Sequence, residues 1–305
     1  METRQIGSLE VSVVGLGCNN FGGRIDETAT RRVVDAALDA GITFLDTADM
    51  YGETKSEEFL GRILAGRRDR VVLATKFGGW RTDLGREGGA KPAYVRAAVH
   101  DSLRRLHTDR IDLYQLHTPD ALTPIADTLG ALEELVHAGK VRAIGCSNFS
   151  AEQLGEADAA VLPAAARFAS VQNELNLLER ADLLHALPEA ERLGLAYIPF
   201  FPLASGLLTG KVRRGEPAPA GTRIAGWAKD RADKVLIDAT FDRLDHLTRF
   251  AQERGRSLLE LAFGWLLSLS PVASVIAGAT SVEQVRANVA GGTWRLDAAD
   301  VAALP

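Results

Sequence analysis

Four side chains capable of acid–base chemistry stand at or just beyond the ends of apolar segments: Asp46, Tyr51, Lys76 and His117. Asp46 ends the apolar run 42–45, Tyr51 follows in the next loop, and the runs VVLAT and DLYQL precede the other two. A lysine buried without a partner is costly, so we expect Asp46 to pair with Lys76. Because a nearby ammonium favours the phenolate, we expect the pKa of Tyr51 to fall from about 10 towards the range of a general acid.

Three of these four residues also have a purely structural interpretation. An aspartate at a strand end often bonds only nearby loop amides, and Asp46 with Lys76 could form a plain ion pair. A single histidine at a strand end is more often structural than catalytic. The combination favours a site in which Tyr51 transfers a proton, while His117 orients a carbonyl oxygen or tunes the tyrosine.

Strand-like and helix-like segments alternate along the chain after a predicted hairpin over residues 3–13. Eight such units without a linker imply a parallel sheet closed into a barrel. We therefore predict an α/β fold, a (β/α)8 TIM barrel with an N-terminal β-hairpin, as a single domain over residues 1–305. The first strand ends near 15–18, and the other predicted strands cover residues 42–46, 71–75, 111–116, 141–146, 168–171, 196–200 and 272–276. The later predicted helices cover residues 181–193, 233–254, 257–269 and 281–290.

The barrel gives the strand-end residues a common location. In such barrels the active site lies at the C-terminal ends of the strands. The four side chains would therefore face one rim, together with polar residues that end the fifth and sixth barrel strands. Those additional residues are Ser147, Asn148 and Gln172.

Composition excludes several classes of partner. The net charge is −5 and the pI about 5.8, so no broad positive field attracts nucleic acid or anionic membranes. Two cysteines and an N-terminus without a long apolar run favour a reduced, cytoplasmic protein without a signal peptide. The apolar segment 258–279 is interrupted by polar residues and a proline, which favours a buried helix and strand over a membrane span. No metal-binding motif is present, so no metal is expected. The oligomeric state is left open, a monomer included.

Seven segments resemble the motifs of the aldo-keto reductase superfamily in order and spacing. They are FLDTADMYG, VVLATKFGG, IDLYQLHTPD, KVRAIGCSNF, ASVQNELN, PFFPLASGLLTGK and VIAGATSVEQVRAN. The resemblance implies reversible hydride transfer between NAD(P)H and a carbonyl group. It also implies that Tyr51 is the proton donor, that Lys76 held by Asp46 lowers the pKa of Tyr51, and that His117 orients the carbonyl.

The same resemblance implies NADPH/NADP+ as the cofactor, with NADH as the alternative. The stretch GLGCNNFGG is not a dinucleotide fingerprint, because Asn20 stands where the third glycine is required. Thr280 and Ser281 precede a predicted helix whose first amides could hold a phosphate, and a plain helix cap is the alternative. The implied cofactor contacts are Gly17, Cys18, Asn19, Asp46, Ser147, Asn148, Gln172, Phe200, Leu203, Ser205, Gly206, Leu207, Lys211, Arg223, Gly278, Thr280, Ser281, Gln284 and Asn288. Lys211 and Arg223 are assigned to the 2′-phosphate.

Apolar residues in the rim loops are the candidates for a substrate pocket. Each of them could instead merely close the rim of the barrel. The candidates are Phe21, Met50, Phe77, Trp80 and Trp227, with Trp294 as a further aromatic residue.

Three functions remain open from the sequence. The first is an NADP(H)-dependent oxidoreductase that reduces an aldehyde or ketone to an alcohol, with a small carbonyl or alcohol as its partner. The second is a non-catalytic NADPH-binding regulatory subunit that resembles the channel β-subunits. The third is a dehydrogenase that works in the alcohol-oxidising or sugar-oxidising direction, because the same residues serve both directions.

Overall fold

The alternation of strands and helices is present throughout the computed structural model, which describes residues 1–79 and 89–304. Strands β1 (Thr3–Ile6) and β2 (Leu9–Ser12) form an antiparallel hairpin ahead of the main sheet. The main sheet contains eight parallel strands. They are β3 (Val14–Gly17), β4 (Phe44–Asp46), β5 (Val72–Phe77), β6 (Ile111–Leu116), β7 (Val141–Ser147), β8 (Phe168–Glu174), β9 (Ala196–Phe200) and β10 (Val275–Gly278).

The eight strands close into a barrel. Their order is β10, then β3 through β9, with every neighbouring pair parallel. The two end strands meet through a bridge between Tyr197 and Val272. Beside it, the Tyr197 N–H donates to Pro271 O at 2.6 Å and the Ala273 N–H donates to Tyr197 O at 3.0 Å. The predicted (β/α)8 barrel with an N-terminal hairpin is confirmed.

Helices follow the strands and cover the outside of the barrel. They are α1 (Glu27–Asp39), α2 (Lys55–Ile63), α3 (Pro92–Arg105), α4 (Ile125–His137), α5 (Ala151–Ala159), α6 (Ala186–Leu193), α7 (Lys229–Val235), α8 (Asp238–Gln252), α9 (Leu258–Leu267), α10 (Val282–Gly291) and α11 (Ala298–Ala303). Local sequence defines several starts: Asp26 caps α1, Pro92 occupies the first turn of α3, and Ser150 and Ser257 form capping boxes. Within the described residues, no helix is long and apolar enough to cross a bilayer.

The buried apolar residues form two clusters, and the polar strand ends lie apart from both. A large cluster fills the space between strands and helices. A smaller one joins hairpin residues Ile6, Leu9 and Val11 to strand residues such as Phe44 and Leu113. The hairpin therefore packs against apolar strand residues, while the polar strand ends gather on a separate cavity described below.

Several elements differ from the predicted boundaries, among them the predicted helix 181–193, whose α-helical part is only α6. Strand β8 continues to Glu174 because its backbone pairs with β9 although its last side chains are polar. Strand β10 starts at Val275, since Val272 belongs to the bridge that closes the barrel. The predicted helix 233–254 is two helices, α7 and α8, and α11 was not predicted.

Candidate active site

The centre of the site is a buried lysine with three hydrogen-bond acceptors. Asp46 pairs with Ala74 in the β4–β5 register, so Lys76 stands two residues further along the neighbouring strand. Its Nζ atom donates to Asp46 Oδ2 at 2.5 Å, to Thr47 O at 3.0 Å and to Tyr51 Oη at 3.3 Å. An ammonium has three N–H donors, and all three are used here. The burial of Lys76 is therefore compensated by an opposite charge and full hydrogen bonding.

The electrostatics of this group differ from the prediction in one respect. Burial, the largest influence on Tyr51, raises its pKa, and the Lys76 ammonium lowers the pKa only in part, so the net pKa is raised. The expectation of a lowered Tyr51 pKa is wrong because desolvation of the phenolate outweighs the neighbouring charge. Burial lowers the pKa of Lys76, but Asp46 and Tyr51 together outweigh it and raise the pKa above its ordinary value. At neutral pH the lysine is charged and the tyrosine keeps its proton.

His117 lies beside the tyrosine at the end of β6. The two rings meet edge to face with their centroids 5.8 Å apart. Burial lowers the His117 pKa to about 3, and the Lys76 charge adds to the effect, so the imidazole is neutral at pH 7. Its Nδ1 atom is buried and has no hydrogen-bond partner among the described residues. A neutral imidazole offers one N–H donor and one acceptor, which suits a ring that holds a carbonyl oxygen.

The second carboxylate oxygen of Asp46 accepts from two glutamines. Gln115 Nε2 donates to Asp46 Oδ1 at 3.1 Å, and Gln172 Nε2 donates to the same oxygen at 2.9 Å. Gln172 Nε2 also lies 3.2 Å from Gln115 Oε1. Gln115 was not among the predicted site residues. The available signal was an uncharged amide within a fully buried barrel strand.

Polar residues at the ends of β7 and β8 extend the site beyond Asp46 and His117. The Ser147 hydroxyl donates to Gln172 O at 2.7 Å, and Asn148 Nδ2 donates to His117 O at 2.9 Å. Asn148 has a left-handed backbone with φ of 60°, a conformation that asparagine tolerates better than most residues. These contacts fix Ser147, Asn148 and Gln172 next to the catalytic candidates. We call those candidates, Asp46, Tyr51, Lys76 and His117, the tetrad.

A cavity of about 1140 Å³ opens over these residues. Three tetrad members, Tyr51, Asp46 and His117, line it, while Lys76 lies behind them. The predicted cofactor residues that line it are Gly17, Cys18, Asn19, Asp46, Ser147, Asn148, Gln172, Phe200, Leu203, Ser205, Gly206, Lys211, Arg223, Gly278, Thr280, Ser281, Gln284 and Asn288. Leu207 does not line the cavity, because its side chain is buried in the core below the loop.

The cavity extends to the start of α10. There the Ser281 hydroxyl accepts from the Gln284 N–H at 3.3 Å and caps the helix. Gln284 Oε1 accepts from the Thr280 N–H at 2.8 Å and from its hydroxyl at 3.2 Å. The Thr280 amide thus has a side-chain partner, and a phosphate that used this amide would have to displace Gln284.

Residues 219–224 line the cavity and are bonded to the segment after β3. Arg223 donates to Asn19 Oδ1 at 3.3 Å and to Asn20 Oδ1 at 3.2 Å, and its guanidinium lies 5.2 Å from the centroid of the Phe201 ring. Arg24 donates to Gly221 O at 2.6 Å. Burial lowers the pKa of Arg223, and the charge of Arg24 adds to this. Asn20 and Arg24 line the cavity and were missed as site residues, since Asn20 was considered only as a break in a glycine motif.

Most of the predicted substrate residues lie elsewhere. Met50 lines the cavity, whereas Phe21 and Phe77 are fully buried in the core, with Phe77 stacked on Tyr114 at 4.5 Å. Their rings gain more from complete burial than from a place on the rim. Trp227 is outside the cavity lining and packs against Arg231 at 4.4 Å.

Trp294, the further aromatic candidate, does not line the cavity. Trp294 packs against the core beside Arg256, whose guanidinium lies 5.6 Å from its ring centroid. Trp80 lies outside the described residues. Among the described residues, no group of three or more His, Cys, Asp or Glu side chains could hold a metal ion.

A (β/α)8 barrel with this Asp–Tyr–Lys–His group at its rim is the architecture of a known class of proteins. The model of the Aldo/keto reductase family matches residues 13–305, so the chain belongs to the aldo/keto reductase family. Family membership supports an oxidoreductase.

Individual relatives agree with this assignment. The chain is 36% identical to Aldo-keto reductase YhdN of Bacillus subtilis (strain 168), over 96% of this chain and 88% of the relative. It is 34% identical to a probable voltage-gated potassium channel subunit beta of Oryza sativa subsp. japonica, over 95% of this chain and 90% of the relative. Among solved structures it is similar to the glycerol dehydrogenase AKR11B4 from Gluconobacter oxydans. That similarity has a TM-score of 0.84 and 32% identity over 99% of this chain and 93% of the other.

Proposed function

We propose that the protein is an NADP(H)-dependent oxidoreductase that reduces an aldehyde or ketone to an alcohol. The observation that carries the proposal is the position of the buried Lys76 ammonium, bonded at once to the Asp46 carboxylate and the Tyr51 hydroxyl at the floor of a large cavity. A positioned proton donor with an adjacent cation that stabilises its conjugate base suits general acid catalysis on a carbonyl.

Each tetrad residue has one task in this proposal. Tyr51 donates its phenolic proton to the carbonyl oxygen during reduction and recovers it during oxidation. Lys76, at 3.3 Å from the phenolic oxygen, stabilises the phenolate that remains. Asp46 keeps the lysine charged and fixed in place. His117, neutral at working pH, donates its one N–H to the carbonyl oxygen and thereby orients the substrate.

The cavity residues fit a nicotinamide cofactor, which when bound supplies or accepts the hydride. Ser147, Asn148 and Gln172 provide the donors and acceptors that a carboxamide requires. The cavity volume of about 1140 Å³ exceeds the usual ligand-pocket range of roughly 300–1,000 Å³, which suits a dinucleotide together with a substrate. Lys211 and Arg223 also line it, and two cations favour NADPH over NADH through its additional phosphate.

The remaining attributes of the proposal follow from the sequence. We propose one domain over residues 1–305, a cytoplasmic location and a small carbonyl or alcohol as the partner. The dehydrogenase direction is the second candidate, because the similar structure from Gluconobacter oxydans is named a glycerol dehydrogenase. The regulatory subunit is the third, because a similar rice protein is named a probable channel subunit beta.

One experiment separates these candidates. Turnover is measured with NADPH and NADH on panels of aldehydes and ketones, and with the oxidised cofactors on alcohols, for the wild type and Tyr51→Phe. We expect wild-type turnover that falls by about a hundredfold or more in Tyr51→Phe, which keeps the ring but lacks the proton. Tight NADPH binding without wild-type turnover on any panel supports the regulatory subunit. Equal turnover by the two proteins would show that Tyr51 is not the proton donor.

A further inference from the structure

The polar residues beneath the cavity form one continuous belt across the barrel interior. Asp46, Lys76, Gln115 and Gln172 come from strands β4, β5, β6 and β8, and all four are buried. Strand β7, which lies between β6 and β8, contributes Gly145 to this layer.

Gly145 gives the side chain of Gln115 room to cross the barrel. A β-carbon at position 145 would lie 3.3 Å from Gln115 Cγ and 2.6 Å from Ser170 Oγ. Because this position is a glycine, the amide of Gln115 reaches both Asp46 on one side and Gln172 on the other. Gln115 therefore bridges the strand that carries the ion pair and the strand that carries a cavity-lining amide.

The hydrogen bonds determine which way each amide faces. An ionised carboxylate only accepts, so the nitrogen atoms of both glutamines must point at Asp46 Oδ1. Gln115 Oε1 is then available to accept from Gln172 Nε2, as the distance of 3.2 Å requires. Gln172 Nε2 therefore donates to Asp46 and Gln115. Its Oε1 atom can accept a hydrogen bond from a ligand in the cavity. The same two donors hold Asp46 so that its other oxygen meets Lys76.

We propose that Gln115 is a positioning residue that couples the cavity face of Gln172 to the Asp46–Lys76–Tyr51 group. It contacts neither substrate nor cofactor. It fixes the Gln172 amide that receives a carboxamide, and it supplies one of the donors that hold the Asp46 carboxylate. This inference rests on the proposed function, since it concerns the same cofactor and the same proton donor.

Two variants and one control test the role. Gln115→Met keeps the length of the side chain but removes both the donor and the acceptor, and Gln115→Glu restores a donor only when its carboxyl group is protonated. The control is Gln5→Met, which changes an exposed glutamine of the hairpin. The measurements are the dissociation constant of NADPH from fluorescence titration, kcat and KM, and the thermal midpoint of each protein.

For Gln115→Met we expect NADPH to bind about tenfold more weakly and kcat to fall roughly tenfold to a hundredfold, the scale of one hydrogen bond to a charged group. For Gln115→Glu we expect the ratio of its kcat to that of the wild type to rise as the pH falls. The reason is that the protonated carboxyl group donates to Asp46, whereas the charged form repels it. A merely structural residue would lower the thermal midpoint and leave this ratio constant with pH.

The outcomes separate this inference from the proposed function. If the wild type neither binds NADPH nor turns over any substrate, the proposed function is wrong. In that event, a crystal structure of Gln115→Met without cofactor still tests the positioning role. A displaced Gln172 amide supports this role, and a Gln172 amide in its wild-type position overturns it. If the wild type is active and Gln115→Met matches it in NADPH affinity and kcat, the inference is wrong. If Gln115→Met fails to fold, Gln115→Glu provides the test. The inference is then wrong if the ratio of the Gln115→Glu kcat to the wild-type kcat does not change with pH.

Discussion

Gly79 lies so close to the imidazole of His117 that no side chain fits between them. A β-carbon at position 79 would lie 2.7 Å from His117 Nδ1 and 2.6 Å from the sulfur of Met50. Contacts below about 3 Å between a carbon and such atoms are not sustained, so a side chain at this position must displace both the Met50 sulfur and the His117 ring. His117 can occupy its position because Gly79, two residues after the end of β5, has no side chain.

The first prediction concerns this contact. Gly79→Ala should lower kcat by roughly tenfold to a hundredfold, because a shift of about 1 Å in the histidine misplaces the carbonyl oxygen. Affinity for NADPH, measured by fluorescence titration, should change less than threefold. Gly130→Ala is the matched control, since a β-carbon at that position in α4 meets nothing within 4 Å. Equal kcat for Gly79→Ala and the control would contradict the role of this contact.

The second prediction concerns the buried ion pair. Lys76→Met should lower the free energy of unfolding by about 3–5 kcal/mol, because Asp46 is then buried without its cation. The double variant Asp46→Asn/Lys76→Met should recover most of that stability but none of the turnover. Denaturant unfolding and steady-state kinetics measure the two effects. Recovery of turnover in the double variant would show that the charge of Lys76 is not needed for catalysis.

The third prediction concerns pH. The pKa of His117 is lowered by burial from 6.5 to about 3, so the folded state binds this proton less tightly than the unfolded state. Stability from this residue is therefore complete above the unfolded pKa and is lost as the pH falls from about 6.5 towards about 3. Between about pH 7.5 and about pH 4.5, the wild type should lose about 2–3 kcal/mol more than His117→Gln. Denaturant unfolding at both pH values tests this, with the exposed His246→Gln as the control.

The fourth prediction concerns the cofactor phosphate. Lys211→Ala and Arg223→Ala should each weaken NADPH binding by about tenfold and change NADH binding much less, as expected for the loss of one cationic contact to a phosphate. The comparison variant is Lys229→Ala, which removes an exposed lysine of α7 that pairs with Asp233. The measurement is the ratio of the two dissociation constants. An unchanged ratio in both variants would remove these residues from the 2′-phosphate assignment.

Features that depend on one residue and its neighbours in the chain could be predicted from the sequence. Asp46 and Lys76 were identified because an apolar strand that ends in a lysine needs a nearby anion. Pro92 and Ser150 stand at the starts of α3 and α5 for equally local reasons.

The sequence was uninformative where the answer depends on residues far apart in the chain. Gln115 looks like any polar residue in a strand until Gly145 and Gln172 are placed next to it. The raised pKa of Tyr51 likewise depends on how completely the surrounding elements exclude water, which no segment encodes by itself. Phe21 and Phe77 were named as substrate-pocket candidates because sequence position does not show which way a ring turns, and in the structure both are buried in the core.

The hydrogen bond between Asp46 and Gln172 joins residues 126 positions apart. Contacts of such separation form late, because the chain must first close a long loop. The belt cannot be assembled by any fragment that ends before β8. Gly278 of β10 and Gln284 of α10 also line the cavity. A nicotinamide cofactor should therefore bind only the closed barrel, so that cofactor present during refolding stabilises the finished molecule and no intermediate.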